Sequence, residues 1–295
     1  MKSELPKQQS YEDRISRVRL WTVIPAVFLP LVAWYTLELH VEVSKPASEL
    51  VGNLLVWSSA LGWWLLKAAP RPFSVRASLG RAPDLAGWGV GAWALFGSIS
   101  VRIIWWIAWY CRDILQVASS SGAYTFRLPR SHLSGAFAIV SVAVLAPLIE
   151  ELLFRGTLFR SYRVRFSPGK AALLSSVLFG LIHSDSMAVF IAALTSALAY
   201  TRTRSLWAPI VLHAINNGGW VVLSLGYFGD FSEVRLAGPR QFGAAALVLL
   251  IGLGVWLQFM RKYWRTLGDP LPPDSLRAAL AASPSGLPEA LRAGG

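Results

Sequence analysis

Apolar stretches alternate with short polar segments along most of the chain. About 20 apolar residues are what an α-helix needs to cross the hydrocarbon core of a bilayer. The pattern therefore predicts an all-α, polytopic membrane protein with about eight transmembrane helices, of which the fifth and sixth are short enough to be tilted or kinked. The predicted spans are Leu20–Leu39, Leu50–Leu66, Leu85–Tyr110, Leu133–Tyr162, Ala171–His183, Met187–Tyr200, Leu206–Phe228 and Phe242–Met260.

The Lys and Arg residues between these stretches are unevenly distributed. With the N-terminus on the inner side, the inward-facing segments carry most of them, for example 1–19, 67–81 and 160–170. An excess of positive charge on cytoplasmic loops sets the orientation of membrane proteins. The distribution predicts that both termini are cytoplasmic. The compact loops and the frequent Arg and Ala favour the cytoplasmic membrane of a bacterium.

The composition agrees with a chain that has the lipid bilayer as a partner. Hydrophobic residues fill 54% and charged residues 15% of the 295 positions, whereas soluble domains carry about 25% charged residues. The net charge of +12 would also suit nucleic acid, but the positive-inside bias explains it, and no nucleic-acid partner is expected. Cys111 is the single cysteine, which excludes intrachain disulfides and cysteine metal clusters.

Two adjacent carboxylates, Glu150 and Glu151, fall well inside the fourth predicted span. A charged group in a bilayer costs at least ~2.5–3.5 kcal/mol, so an intramembrane carboxylate is a functional-site candidate. Neighbouring helix residues point about 100° apart, and the two acids are therefore expected to have different roles. Arg155 follows Glu151 at i, i+4 in the orientation that favours an ion pair. We predict that Glu151 and Arg155 form a structural ion pair and that Glu150 faces a cavity.

Two histidines and an asparagine also fall inside predicted spans. His183 closes the fifth span, four residues after Phe179. His213 and Asn217 are i, i+4 in the seventh span and therefore share one helix face. The neighbouring Asn216 points elsewhere and is interpreted as a packing residue.

Depth along the helices decides whether these polar residues can meet. At 1.5 Å per residue, a fourth helix that reaches the inner surface near position 163 places Glu150 about 20 Å from it. A fifth helix that leaves this surface near position 170 places His183 at about the same depth. His213 and Asn217 then lie at roughly 10 and 16 Å, so all four residues fall within about two helical turns. A long fourth helix is part of this prediction.

Three motifs in this order resemble the signatures of the CAAX-protease and bacteriocin-processing family, also called the CPBP or Abi family. The motifs are Glu150-Glu151-x-x-x-Arg155, Phe179-x-x-x-His183 and His213-x-x-x-Asn217. The resemblance covers about positions 133–220 and implies an eight-helix intramembrane endopeptidase. Eukaryotic members of the family remove the last three residues of prenylated CAAX proteins, and many bacterial members are linked to bacteriocin maturation or immunity. The expected partner is a hydrophobic or prenylated peptide or protein at the membrane.

Hydrolysis of an amide needs an activated water and a stabilised oxyanion. In this interpretation Glu150 is the general base, and His183 helps to hold the water and exchange protons. His213 and Asn217 donate hydrogen bonds to the oxyanion of the tetrahedral intermediate. Phe179 is the supporting residue of the second motif.

A zinc-dependent version of the same protease would use these residues differently. Glu150, His183 and His213 could bind Zn²⁺ and leave one position for water. Against it, the chain has no His-Glu-x-x-His motif and no obvious acid to orient either histidine, and Glu150 would be a ligand instead of a base. Metal-free chemistry without a cofactor is therefore favoured, with Zn²⁺ as the alternative.

Two other classes of protein would carry similar residues. One is a non-catalytic membrane scaffold or immunity protein that keeps the motifs. The other is a proton-coupled transporter with Glu150 as its relay, for which inverted repeats are expected, and none is visible in the sequence. The predicted organisation comprises a cytoplasmic N-terminal segment (1–19), three transmembrane helices with their loops (20–132), the catalytic core (133–228), the last transmembrane helix (229–263) and a disordered cytoplasmic tail (264–295).

Overall fold

Helices make up the regular structure of the described residues, and no strand occurs among them. The computed structural model describes residues 11–41, 45–70, 73–114, 136–137, 139–183, 186–224 and 239–268. The all-α fold class is confirmed for these residues. Most of the predicted tail and the first ten residues lie outside them. The helices are α1 (Tyr11–Ser16), α2 (Leu20–Glu38), α3 (Lys45–Lys67), α4 (Val75–Leu79), α5 (Leu85–Ile114), α6 (141–163), α7 (Pro168–Leu181), α8 (Ser186–Thr203), α9 (Trp207–Ser224) and α10 (Pro239–Tyr263), followed by a 3-10 turn at Trp264–Gly268.

The eight apolar stretches of the sequence correspond to α2, α3 and α5 to α10. The short helices α1 and α4 were not predicted, because each has fewer than seven residues and no apolar run. Helix α7 ends at Leu181, so His183 lies just beyond the helix and not within it. The end of the seventh predicted span, up to Phe228, lies outside the described residues.

By length and composition, one helix in the described part of the chain qualifies as a membrane span, at Trp21–Glu38. Three further apolar helices are shorter, namely Leu85–Ser100, Pro168–Leu181 and Met187–Thr203. The other long helices carry more Gly, Ser and charged residues, which lowers their mean hydropathy.

Large apolar side chains are exposed on several helices. Leu39 is 83% exposed, Leu181 69% and Leu250 67%. Soluble monomers seldom expose so many large apolar side chains, and surfaces of this kind mark contact with a membrane or with another protein.

Helix α6 occupies the centre of the helix packing. It contacts α3, α7, α8 and α9, while α5 packs against α8, α9 and α10. Helix α6 continues to Arg163, which is where the fourth helix had to end for Glu150 and His183 to lie at the same depth. The residues predicted to form the site therefore lie on helices that share α6 as a neighbour.

Helix α6 is not a regular α-helix throughout. A π-helical turn at Ser141–Leu145 precedes the α-helical segment Ala146–Leu153, and a second π-helical turn follows at Phe154–Phe159. Pro147 lacks the N–H that would continue an α-helical ladder into the preceding turn, which favours the first irregularity. In the second, the Thr157 hydroxyl donates to the Leu152 carbonyl oxygen at 2.9 Å. Such turns occur frequently at functional sites.

A close approach of α5 and α10 gives a test of this packing. A Cβ atom on Gly97 would lie 3.2–3.3 Å from three atoms of Trp256, including its Cα. Trp256 has little freedom to move, because its indole N–H donates to Thr195 Oγ1 on α8 at 2.9 Å. We expect Gly97→Ala to lower the free energy of unfolding by about 1–3 kcal/mol, measured as a lower melting temperature in detergent.

Gly89, in the same helix, provides a matched control. A Cβ atom there would meet nothing within 4 Å, and alanine has the higher helix propensity by about 1 kcal/mol. Gly89→Ala should therefore keep or raise the melting temperature. Equal melting temperatures for the two variants would contradict the close approach at Gly97.

Candidate active site

The carboxylate of Glu150 lies between two histidine side chains. Its Oε1 is 3.9 Å from His183 Nε2, and its Oε2 is 3.7 Å from His213 Nε2. These separations exceed an ordinary hydrogen bond of about 2.7–3.2 Å. Oε2 is buried and has no hydrogen-bond partner among the described residues. The carboxylate is therefore desolvated on one side and faces both imidazoles across short gaps.

Both histidines use Nδ1 for a fixed partner and turn Nε2 toward Glu150. Nδ1 of His183 lies 2.7 Å from the carbonyl oxygen of Phe179, four residues earlier. Nδ1 of His213 lies 3.1 Å from Oε1 of Glu151. A carbonyl oxygen and an ionised carboxylate can only accept, so in each ring the Nδ1 proton is the one donated.

The second acid of the pair is almost completely buried together with Arg155. Glu151 Oε1 lies 3.1 Å from Arg155 Nη1, with side-chain exposures of 1% and 2%. Arg155 also donates through Nη2 to the carbonyl oxygen of Ala193 on α8 at 2.9 Å. The ion pair is thus tied to a neighbouring helix. The same carboxylate oxygen contacts His213, which is a role for Glu151 beyond the ion pair.

Phe179 packs at the centre of the site. Its ring lies 4.7 Å below the guanidinium of Arg155 and 4.6 Å, centroid to centroid, from the imidazole of His183. The ring of His213 meets it edge to face at 5.9 Å, and Phe154 does the same at 4.7 Å. Contacts of this kind are favourable in these geometries. The aromatic residue of the second motif therefore fixes the positions of both histidine rings.

Asn217 contacts the first π-helical turn of α6. Its Nδ2 donates to the carbonyl oxygen of Val142 at 3.1 Å. A Cβ atom on the next residue, Gly218, would make an ordinary van der Waals contact with the Cβ of Ala143 at 3.7 Å, so this approach does not require a glycine. Helix α9 continues through Gly218 and Gly219 to Ser224 without a break. Asn216 is 9% exposed, and its Nδ2 donates to the side-chain Oδ1 of Asn217 at 3.5 Å.

The structure brings the sequence-predicted residues together, with one relation that the sequence did not show. Glu150, His183 and His213 meet within 4 Å, and Asn217 lies one helical turn beyond His213 on the same helix. The contact between Glu151 and His213 was missed. The feature of the sequence that could have indicated this contact is the presence of two adjacent acids. The i, i+4 spacing to Arg155 already accounted for Glu151, so no further partner was sought for it.

Glu150, His183 and His213 are the side chains that could hold a zinc ion. The prediction that no acid orients either histidine is wrong for His213, because its Nδ1 contacts Glu151. Nδ1 of His183 contacts a backbone carbonyl oxygen, that of Phe179, and not an acid. Outer partners of this kind are usual for metal-binding histidines. The spacing does not fit: tetrahedral zinc ligands lie about 3.4 Å apart, whereas the Glu150 oxygens lie 3.9 Å from His183 Nε2 and 3.7 Å from His213 Nε2. Among the described residues, no group of three or more His, Cys, Asp or Glu side chains is arranged to hold a metal ion.

Comparisons with known proteins point to the same segment of the chain. Residues 132–219 match the family model described as Type II CAAX prenyl endopeptidase Rce1-like. The chain is 28% identical over 144 residues to "Putative membrane peptidase YdiL" of Bacillus subtilis (strain 168), covering 43% of this chain and 59% of that protein. It is 30% identical over 96 residues to "Membrane-embedded CAAX protease MroQ" of Staphylococcus aureus (strain USA300), covering 30% of this chain and 39% of the relative. No solved structure matches the chain.

All three motifs lie within the matched segment. Residues 132–219 therefore match a Rce1-like CAAX prenyl endopeptidase domain, and the resemblance predicted from the motifs is confirmed for this segment. The chain spans less than two thirds of the length of these curated relatives.

The metal question has a direct test. Because the spacing of Glu150, His183 and His213 does not fit zinc, we expect purified protein to contain less than one equivalent of zinc per chain by elemental analysis. His213→Ala should leave the metal content unchanged. One equivalent of zinc in the wild type, lost in His213→Ala, would contradict the metal-free site.

Proposed function

We propose that this chain is an intramembrane endopeptidase that hydrolyses a peptide bond of a membrane-associated peptide or protein with a water activated by Glu150. One observation carries the proposal. A desolvated carboxylate faces two imidazole Nε2 atoms at 3.7 and 3.9 Å, inside the segment that matches the CAAX prenyl endopeptidase family.

The gaps around Glu150 suit a bridging water. Polar atoms separated by more than about 3.5 Å are commonly joined through one. A water between Glu150 and His183 can donate one hydrogen to the carboxylate and the other to the Nε2 lone pair. As the water oxygen adds to the substrate carbonyl carbon, Glu150 takes its proton, and the tetrahedral intermediate forms. Positioned general bases typically contribute about 10²–10⁴-fold to the rate.

Collapse of the intermediate needs a proton on the leaving amine. The proton held by Glu150 can pass to the amine directly or through Nε2 of His183, whose ring is 30% exposed and therefore open to the substrate side. The products are a new carboxylate and a free amine, and Glu150 returns to its ionised state.

The oxyanion is assigned to His213 and Asn217. His213 donates through Nε2 when both ring nitrogens carry a proton. Asn217 has two N–H groups on Nδ2, one of which is taken by Val142, so the second is available. Each such donor is worth roughly 3–4 kcal/mol of transition-state stabilisation.

The environment of the site is assigned to a lipid bilayer. The exposed apolar side chains on α2, α7 and α10 and the membrane location in the printed names of both relatives support eight transmembrane helices. The charge bias of the loops supports cytoplasmic termini in a bacterial cytoplasmic membrane. The family description supports a hydrophobic or prenylated substrate.

Purified protein in proteoliposomes tests the activity. The probe is a fluorogenic peptide that ends in a prenylated Cys-aliphatic-aliphatic-X sequence, compared with the same peptide without the prenyl group. Cleavage at one bond, identified by mass spectrometry, is the expected result. A wild-type preparation that cleaves neither peptide, nor any peptide in a membrane extract, would favour the non-catalytic scaffold instead.

Removal of the base is the first mechanistic test. Glu150→Gln keeps the shape of the side chain but removes its basicity, so kcat should fall by at least ~10²-fold with the melting temperature unchanged. Near-normal cleavage by this variant would rule out Glu150 as the general base.

Two adjacent asparagines give a matched pair for the oxyanion assignment. Asn217→Ala should lower kcat by about 10²–10³-fold, because a donor to the oxyanion is lost. Asn216→Ala removes a neighbouring amide whose contact with the Asn217 side chain is a long hydrogen bond of 3.5 Å, and kcat should change by much less. Similar losses in the two variants would show that the effect comes from packing of α9.

A further inference from the structure

We propose that Glu151 is a positioning residue for His213: by accepting the Nδ1 proton it fixes Nε2 as the nitrogen that works on the substrate. The inference rests on the proposed function for its kinetic consequence, although the contact itself can be tested without any activity. It assigns Glu151 a second role beside its ion pair with Arg155.

The geometry around Glu151 supports this role. Its Oε1 lies 3.1 Å from His213 Nδ1 and also 3.1 Å from Arg155 Nη1. The guanidinium of Arg155 can only donate, so the carboxylate is the acceptor toward both of its partners. With exposures of 1% and 2% for the two side chains, no water competes for the contact. Glu151 therefore holds the imidazole as a buried, charge-assisted acceptor.

The consequence lies on the other side of the ring. In water, neutral histidine carries its proton on either nitrogen, and a hydrogen bond from one nitrogen selects the tautomer. With Nδ1–H bonded to Glu151, Nε2 is the free position, and it faces Glu150 at 3.7 Å. In the neutral ring Nε2 accepts a proton, and in the protonated ring it donates to the oxyanion. A neutral ring with the opposite tautomer carries its proton on Nε2, so it could not accept a proton there, and its unprotonated Nδ1 would face the Glu151 carboxylate without a hydrogen to donate.

A purely structural role for Glu151 makes a different prediction from the positioning role. A buried ion pair can often be replaced by apolar side chains without loss of stability, whereas removal of one partner leaves a buried charge unpaired. Glu151→Leu alone should therefore be unstable under either role. The double variant Glu151→Leu/Arg155→Met removes both charges at once and should recover the melting temperature. It does not restore the acceptor for His213.

The experiment compares wild type, Glu151→Leu, Arg155→Met and the double variant. Melting temperature in detergent reports the structural role, and kcat and KM on the fluorogenic peptide report the chemistry. The two-bond ¹H–¹⁵N spectrum of protein labelled at histidine reports the tautomer, with the His213 signal assigned as the one lost in His213→Asn. In the double variant we expect a recovered melting temperature and a kcat lowered about 10–100-fold, with KM little changed. The His213 signal should change from the Nδ1–H form to a mixture.

Two results would overturn the inference. The first is a double variant that recovers both its melting temperature and its kcat, because Glu151 would then serve the ion pair alone. The second is an His213 signal that is not in a form with a proton on Nδ1 in the wild type, or that does not change when Glu151 is replaced. If the wild type cleaves no peptide, the proposed endopeptidase function fails while the spectrum still decides whether Glu151 holds His213.

Discussion

The buried pair of Glu151 and Arg155 ties four helices together at the depth of the site. Both residues are on α6. Arg155 donates to the Ala193 carbonyl on α8 and lies over the ring of Phe179 on α7, while Glu151 contacts His213 on α9. Charges taken out of water are costly unless they are paired, and these contacts supply partners to the buried pair. The positions of the two histidines follow from this constraint, and so does the place of Glu150.

The site is more open on one side than on the other. His183 is 30% exposed, whereas Glu150 and His213 are each 13% exposed. The difference arises because His183 follows the last residue of α7, where no further helical turn covers it. Glu150 and His213 lie within their helices and are covered by neighbours. A substrate or a water would therefore reach Glu150 from the side of His183.

Much of this arrangement could be predicted from residue types and spacing. The apolar stretches predicted the long helices, because burial or lipid contact imposes their length. The rarity of charge within those stretches identified Glu150 and Glu151, and helical rise placed His183 and His213 near them. What could not be predicted is which atom contacts which. The i, i+4 spacing within one helix predicts that Glu151 pairs with Arg155. It contains no information about the angle at which α9 crosses α6, and that angle decides whether Glu151 also contacts His213.

The π-helical turns of α6 limit how this segment can change its length. A π-helical turn holds one residue more than an α-helical turn, and each residue of a helix advances the direction of its side chain by about 100°. Deletion of one residue within Phe154–Phe159 would restore a regular helix and leave Glu150 where it is. Deletion of one residue between Ala146 and Glu150 would turn Glu150 by about 100° relative to the first π-helical turn, which accepts a hydrogen bond from Asn217. Sequence alignments of relatives should therefore tolerate single-residue gaps at Ser141–Leu145 and after Arg155, and exclude them from the segment that carries Glu150, Glu151 and Arg155.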